Sequence, residues 1–530
     1  MPIRMTDDPK GQSNNDYNDD RSGGSSNNSG GGGGLFALLP LLLSLFKGKR
    51  IFLLIIIAGA FWYFSKGGGG CNMNLADTAQ QLFSQSGYSY SPEQFDKASI
   101  YEGLEDNNNK NPLPEAVSLL RFAPNRGDQG SQGSCVAWSS AYAAQTILTA
   151  ASTGQDPNVI AFSPSYLYNQ IRLSNDCQGS YIQKAMEAMR ANGGVPLSQY
   201  PYSDQDCSRV PGSAAIQTGR QHAIHGFTRL TEGDNLNQIS VRAIKEHLAK
   251  DAPVVIGMMV GQSFMQDMMG KDLWQPQGMD QSQMGMGGHA MCVIGYDDSK
   301  YGGAFQIMNS WSPAWGKNGI GWVQYGNFKN YVREAYGIDP LPKSQTVASV
   351  PLECNIGLVN NATRQYIKLK SIGNNEFQTT TPIKIGTRFK MEVKNTTECY
   401  IYIFGQETDG KSYLLFPYLK SGQTVSKHSP YCGITGYRLF PRAQSLEADN
   451  IGNKDFIAII TSKKELNYNQ VNAAINASTQ SNFSNRVLDA LQNIKVEARQ
   501  SATSDGRIYF KANANPNQAI ATIVAFDKVP

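Results

Sequence analysis

Four side chains have the types and the order of a nucleophilic site: Gln129, Cys135, His289 and Asn309. Cys135 stands where a Gly/Ser-rich loop, DQGSQGS, gives way to the apolar run CVAWSSAYAAQTILTAA. There Trp138, Ala141, Tyr142, Gln145, Ile147, Leu148 and Ala151 recur at helical spacing. The pattern predicts a helix over 135–152 with one face in a core. Ser134 is its candidate cap. A cysteine in the first turn of a helix meets unpaired N–H groups and the positive end of the dipole, which favour thiolate over thiol. Alone, such a cysteine is equally well read as a small buried residue. Its companions decide between the two.

A thiolate nucleophile needs a proton acceptor, and the acceptor needs an orienting group. His289 opens the alternating run HAMCVIGYDD, and Asn309 follows AFQIM after a polar turn. Paired as an antiparallel hairpin about a turn near Ser299, the runs bring His289 and Asn309 face to face, about 5 Å apart. A carboxamide there fixes the tautomer and orientation of the imidazole. Gln129 lies six residues before Cys135, across glycines and serines that let the chain fold back. Its amide and the backbone N–H of Cys135 can donate to a developing oxyanion. His222 and His225, in HAIH, have no third ligand at metal spacing, and no HExxH occurs. Neither a metal nor another cofactor is expected.

These four residues, with NSWSPAWGKNGIGW running on from Asn309, resemble the papain family of cysteine peptidases. LPEAVSLLRF (113–122), FSPSYLYNQIR (162–172), DCQGSYIQKAMEAM (176–189) and YPYSDQDC (200–207) are similar to that family as well, so the likeness covers roughly 113–342. The resemblance implies an α+β, two-lobed domain, with a helical lobe against a β-barrel-like lobe. It gives Cys135 the role of nucleophile, His289 of base, Asn309 of orienter and Gln129 of oxyanion donor. It implies a protein or peptide substrate, held by Gly179, Ser180, Tyr181, Ala290 and Trp311. The chain departs from the family at Gln132, usually Cys, at Val136, usually Trp, and at Gln178-Gly179-Ser180, usually Asn-Gly-Gly. Cys177 and Cys207 have lost their usual partners at Gln132 and Gln170, so the resemblance implies that they bond to each other.

The rest of the chain must position and deliver this site. Its 530 residues allow two or three domains, and 40% hydrophobic with 17% charged residues is ordinary for a globular chain. A net charge of +4 gives no case for nucleic acid. Residues 1–34 are polar and Gly-rich and read as a disordered tail. Residues 35–66 read as a membrane segment, with apolar runs at 35–46 and 51–64. Lys47, Lys49 and Arg50 precede the second run and only Lys66 follows it. A single crossing over about 50–66 therefore leaves the N-terminus in the cytoplasm and the catalytic domain extracytoplasmic, periplasmic or extracellular. A two-segment hairpin is the lesser option.

Residues 67–112, with a weak helical stretch near 75–85, read as a linker or short prosegment, and 113–342 as the peptidase domain. Beyond Pro340, Pro342 and Pro351 the composition turns to β-formers, and 343–530 reads as a separate β-sandwich-like domain. A helical stretch near 466–497 interrupts it. YIYIFGQETDG, YLLFPYL and FIAIITSKKEL resemble a domain found beside bacterial caspase-like and papain-like peptidases. A binding or targeting role with an unknown partner is expected there, and His428 shows no evident partner. The reading is a membrane-anchored papain-like cysteine peptidase. A cell-wall amide hydrolase or acyl transferase is disfavoured by the Gln129 spacing and the Asn309-Ser310-Trp311 run. An inactive peptidase-fold binding protein is disfavoured by the intact catalytic set.

Overall fold

The run that begins at His289 becomes the central strand Gly287–Asp297 of an eight-stranded sheet. The structure, a computed structural model, describes residues 3–7, 87–341, 350–373, 375–420 and 422–530. In this sheet the strand lies between Val254–Val260 and Ala304–Met308, and Ala116–Ser118 pairs along its far end. Val332–Ile338 and Phe227–Arg229 extend one side, and Ile320–Gln324 and Leu273–Trp274 the other. Val254 to Met258 and Ala290 to Ile294 are almost wholly buried, as continuous apolar strands should be when both faces are covered.

The helix from Cys135 runs on to Thr153. It differs from the expected one-faced helix. Trp138–Gln145 is a π-helical stretch whose eight residues are all buried. A helix apolar all round belongs inside a fold, and its small residues Ser139, Ser140, Ala143 and Ala144 let neighbours approach on every side. Pro164–Ile171 and Ile182–Asn192 complete the helical lobe. Ser163 caps the first of these on the Tyr166 N–H.

A second core lies between two further eight-stranded sheets, built from the C-terminal part of the chain except for one strand from the N-terminus. Leu352, Ile356, Phe389 and Met391 of one sheet meet Ile403, Ile457, Val524 and Phe526 of the other. A hairpin around Thr408-Asp409-Gly410 joins Cys399–Gln406 to Ser412–Phe416. The single helical stretch near 466–497 is two helices, Tyr468–Ala477 and Phe483–Ala490, broken at Ser478-Thr479-Gln480. They cover the outer face of the second sheet through Ile475 and Val487.

One expectation about the N-terminus needs correction. Residues 1–34 are not a wholly unstructured tail: Ile3–Asp7 is an edge strand, antiparallel to Gln444–Ala448 over five residue pairs. Ile3 and Met5, alternating with Arg4 and Thr6, carried this signal, too short to stand out against the polar stretch that follows. The transmembrane helix expected within 35–66 and the helical stretch near 75–85 lie outside the described residues. Among the described residues no helix is long and apolar enough to cross a membrane.

Candidate active site

Cys135 opens the long helix and is fully buried. Ser134 does not cap that helix. Its hydroxyl instead donates to the Tyr202 phenol at 2.7 Å, and Tyr202 in turn donates to the Gln129 carbonyl at 2.7 Å. The Cys135 Sγ accepts from the Ala290 N–H at 3.4 Å, which ties this sulfur to the central strand. Burial pushes the thiol up to about 12, against backbone N–H groups of Ala290, Val136 and Cys135 that hold it down. The dipole argument for a thiolate is thus outweighed while the thiol is covered: desolvation of a charge exceeds what three N–H groups return.

His289 Nε2 and Asn309 Oδ1 lie 2.7 Å apart, both residues buried. The amide oxygen accepts from Nε2–H, which leaves Nδ1 as the basic nitrogen. The register that achieves this is not the simple hairpin. Asp297 pairs with Ala304 and Gly295 with Gln306, but Val293 pairs with Ile307 and Cys292 with Met308. One extra residue near Ile294 shifts the pairing. Without it, Asn309 would project from the face opposite His289. With it, Asn309 aligns two residues beyond His289 and on the same face. Trp311 stacks on the His289 ring, centroids 4.1 Å apart, and shields the pair from solvent.

Gln129 is fully buried and held at both ends of its amide. Its Nε2 donates to the Gln132 carbonyl at 3.1 Å and its Oε1 accepts from the Ser310 hydroxyl at 2.8 Å. Ser310 was not singled out from the sequence, although its place directly after Asn309 was a signal. Cys177 and Cys207 form a disulfide, with Cα atoms 5.8 Å apart. Of the nine methionines at 258–291, Met258, Met268 and Met291 are core residues, whereas Met269, Met279 and Met284 are exposed. Among the described residues no group of three or more His, Cys, Asp or Glu is placed to hold a metal ion.

The cleft beside these residues is filled by the chain itself. Ser180 N–H donates to the Gly87 carbonyl at 3.0 Å, and Ser89 N–H donates to the Ser180 carbonyl at 3.1 Å. Gly87 also bridges to His289. Gly87 has φ +71° and packs so closely on Gly133 that any Cβ would collide with its backbone, so only glycine fits. The Tyr88 ring is buried between Gly257 and Gly288. A Cβ on Gly288 would come 2.7 Å from that ring, and one on Gly257 would strike the phenol end. Beneath the ring lies Glu334, flanked by the Tyr88 and Tyr336 phenols, whose hydroxyls close no hydrogen bond of ordinary geometry. Burial pushes the Glu334 carboxyl up to about 8, against the two phenols and the Ser91 N–H. Sequence reasoning missed this pocket. A lone carboxylate inside the buried strand VREAYGI was the available signal.

A family profile described as papain family cysteine protease matches residues 123–339. The chain is similar to cathepsin K of Mus musculus, 27% identical over 193 residues, covering 36% of this chain and 53% of that protein. Cathepsin K of Gallus gallus is 29% identical over 195 residues, 36% of this chain and 52% of that protein. The chain thus spans about half the length of these curated relatives. Among solved structures, xylellain, a cysteine protease from Xylella fastidiosa, aligns at 23% identity and TM-score 0.41, covering 49% of this chain and 97% of that one. Residues 123–339 of this chain match the papain family of cysteine proteases, and Cys135, His289 and Asn309 all lie within the matched stretch.

Proposed function

We propose that this chain is a cysteine endopeptidase held latent by its own residues 87–90. One arrangement carries the reading: His289 is hydrogen-bonded to Asn309, and the next residue on its strand, Ala290, donates to the Cys135 sulfur. Once the cleft is emptied, His289 Nδ1 takes the thiol proton and the thiolate attacks a peptide carbonyl. The Gln129 amide and the Cys135 N–H receive the oxyanion. His289 then protonates the leaving amine, and water resolves the acyl-enzyme.

The segment Gly87–Tyr90 lies parallel to Gly179–Tyr181, with Ser180 spanning Gly87 and Ser89. A substrate laid antiparallel, with one residue making both bonds to Ser180, passes Cys135 in the opposite sense. We take the parallel sense as the reason the segment is not cut. The glycine-walled pocket with Glu334 at its floor favours substrates that place tyrosine, or a long cationic side chain, where Tyr88 now sits. Attachment to a membrane through 35–66 remains part of the proposal.

An epoxysuccinyl peptide probe tests the catalytic assignment. Tyr88→Ala protein should be labelled on Cys135 alone and should hydrolyse casein, and the added Cys135→Ala change should abolish both. Undiminished hydrolysis without Cys135 would sink the assignment.

A further inference from the structure

The segment in the cleft is continuous with residues 91–111, and these are gripped from two sides. Toward the peptidase domain, Arg229 N–H donates to the Ser99 carbonyl at 2.8 Å and Tyr101 N–H to the Arg229 carbonyl at 3.1 Å. Toward the C-terminal domain, Ile100 N–H donates to the Lys427 carbonyl at 2.6 Å and Ser429 N–H to the Ile100 carbonyl at 3.0 Å. Residues 99–101 are therefore a middle strand, with Arg229 on one side and Lys427–Ser429 on the other. Side chains repeat the pattern. Asp96 accepts from buried Arg229 at 2.9 Å and from Lys427 at 2.6 Å. Glu102 offers its carbonyl to buried Arg438 at 2.9 Å and its carboxylate to His428 Nδ1 at 3.2 Å. Asn111 closes a two-way bond with the Tyr437 backbone, at 3.0 and 2.9 Å.

We propose that the C-terminal β-domain is the latch of the cleft segment: by completing the strand at 99–101 and fixing Asp96, Glu102 and Asn111, it keeps Gly87–Tyr90 seated over Cys135, and whatever lifts this domain opens the active site. The proposal rests on the latent-peptidase reading. Its physical basis is effective concentration. Two backbone hydrogen bonds and one pocketed ring make a weak ligand, but a ligand tethered a few residues from a fixed point rebinds before a substrate arrives. Six residues separate Ser89 from Asp96 in between, so freeing Asp96 to Asn111 lengthens the tether and weakens the seat. Part of the grip is the peptidase domain's own, through Phe95 against Tyr336 and Tyr101 on Glu246. The C-terminal domain supplies the rest.

The test is alkylation of the full chain by iodoacetamide, read by mass spectrometry at Cys135 and at Cys292. Cys292 is buried in the same sheet and reports unfolding of the peptidase domain. Four variants are compared with wild type. Lys427→Ala and Asn111→Ala loosen the latch at independent points, and Lys427→Arg retains the cation. Both loosening variants should raise the Cys135 rate about fivefold, the scale of a partly buried pair, with Cys292 unchanged. Lys427→Arg should return the Cys135 rate to wild type. Tyr88→Ala, which empties the pocket directly, is the control for latency itself. If Tyr88→Ala speeds Cys135 while both latch variants match wild type, the latch is overturned and latency stands. If the latch variants speed Cys135 and Cys292 together, the contacts serve only stability and the latch is again overturned. If Tyr88→Ala leaves Cys135 as slow as wild type, latency itself fails, and the latch with it.

Discussion

Glu334 is the residue whose chemistry the sequence hid and the fold exposes. Its carboxyl shares a closed pocket with the phenols of Tyr88 and Tyr336 and with the Ser91 N–H, and burial holds its proton to about pH 8. An emptied, hydrated pocket lets the carboxyl return toward its ordinary 4.5. The sign follows from linkage. Below the lower value both states carry the proton and seating is at full strength. As pH rises toward the upper value the open state releases the proton and the closed state keeps it, so seating weakens with pH across that window. The Cys135 alkylation rate, divided by that of Glu334→Gln to remove the intrinsic pH dependence of the thiol, should rise at least about tenfold from about pH 5 to about pH 8. A flat ratio would show that Glu334 does not hold Tyr88 by its proton. Gln129 makes a simpler case at the same scale. With its amide locked between Gln132 and Ser310, Gln129→Ala in Tyr88→Ala protein should cut turnover by ~10²–10³ and leave the Michaelis constant nearly unchanged. A change in the Michaelis constant alone would make Gln129 a substrate contact.

At the scale of elements, the strands around the cleft are shaped by what must lie between them. Val254–Val260 is apolar at every position, yet interrupts itself with Gly257, and Gly287–Asp297 opens on two glycines. A side chain at Gly257 or Gly288 would fill the pocket that Tyr88 occupies. Gly257→Ala should therefore eject the ring. The expected outcome is faster alkylation of Cys135 with Cys292 still protected, and, in the active enzyme, lost preference for tyrosine at that position while smaller side chains are retained. A peptide-library cleavage profile reads the second effect. Unchanged profile and alkylation would mean that Tyr88 and substrates use some other pocket. The bulge near Ile294 serves the same site from the other side, because it sets the face on which Asn309 meets His289.

For the molecule as a whole, the pairing of Ile3–Asp7 with Gln444–Ala448 constrains how the chain can meet a membrane. Strands pair only within one compartment. On the proposed membrane attachment, a single crossing between residues 8 and 86 would part the two strands, whereas an even number of crossings, or attachment along one face, would keep them together. Under that proposal, a two-segment insertion with Lys47, Lys49 and Arg50 on the cytoplasmic side would leave both the N-terminal strand and the peptidase domain outside, where the Cys177–Cys207 disulfide would persist. Tags at both ends of the chain should then share one fate when an impermeant protease is added to intact cells or spheroplasts. Opposite fates would overturn the strand pairing in the anchored protein.

The proposed catalytic set was legible in the chain because its signals are local: Cys135 at a loop-to-helix join, His289 and Asn309 at the ends of two alternating runs, Gln129 on a Gly/Ser loop. Residue type and spacing carry that much, and periodicity carried the strands and most helices. Three things had to wait for tertiary structure. The π-helical stretch after Ala137 follows from burial on every side, which no window of sequence displays. The face shared by His289 and Asn309 depends on one bulged residue, and strand periodicity alone assigns the wrong register by two. The occupied cleft is the largest of the three. Gly87 and Tyr88 sit in a polar, Ser- and Asn-rich stretch that reads as linker, because a ligand segment needs no core pattern of its own. Its meaning lies in complementarity to Gly133, Ser180, Gly257 and Glu334, residues scattered across about 200 positions that only folding brings to one place.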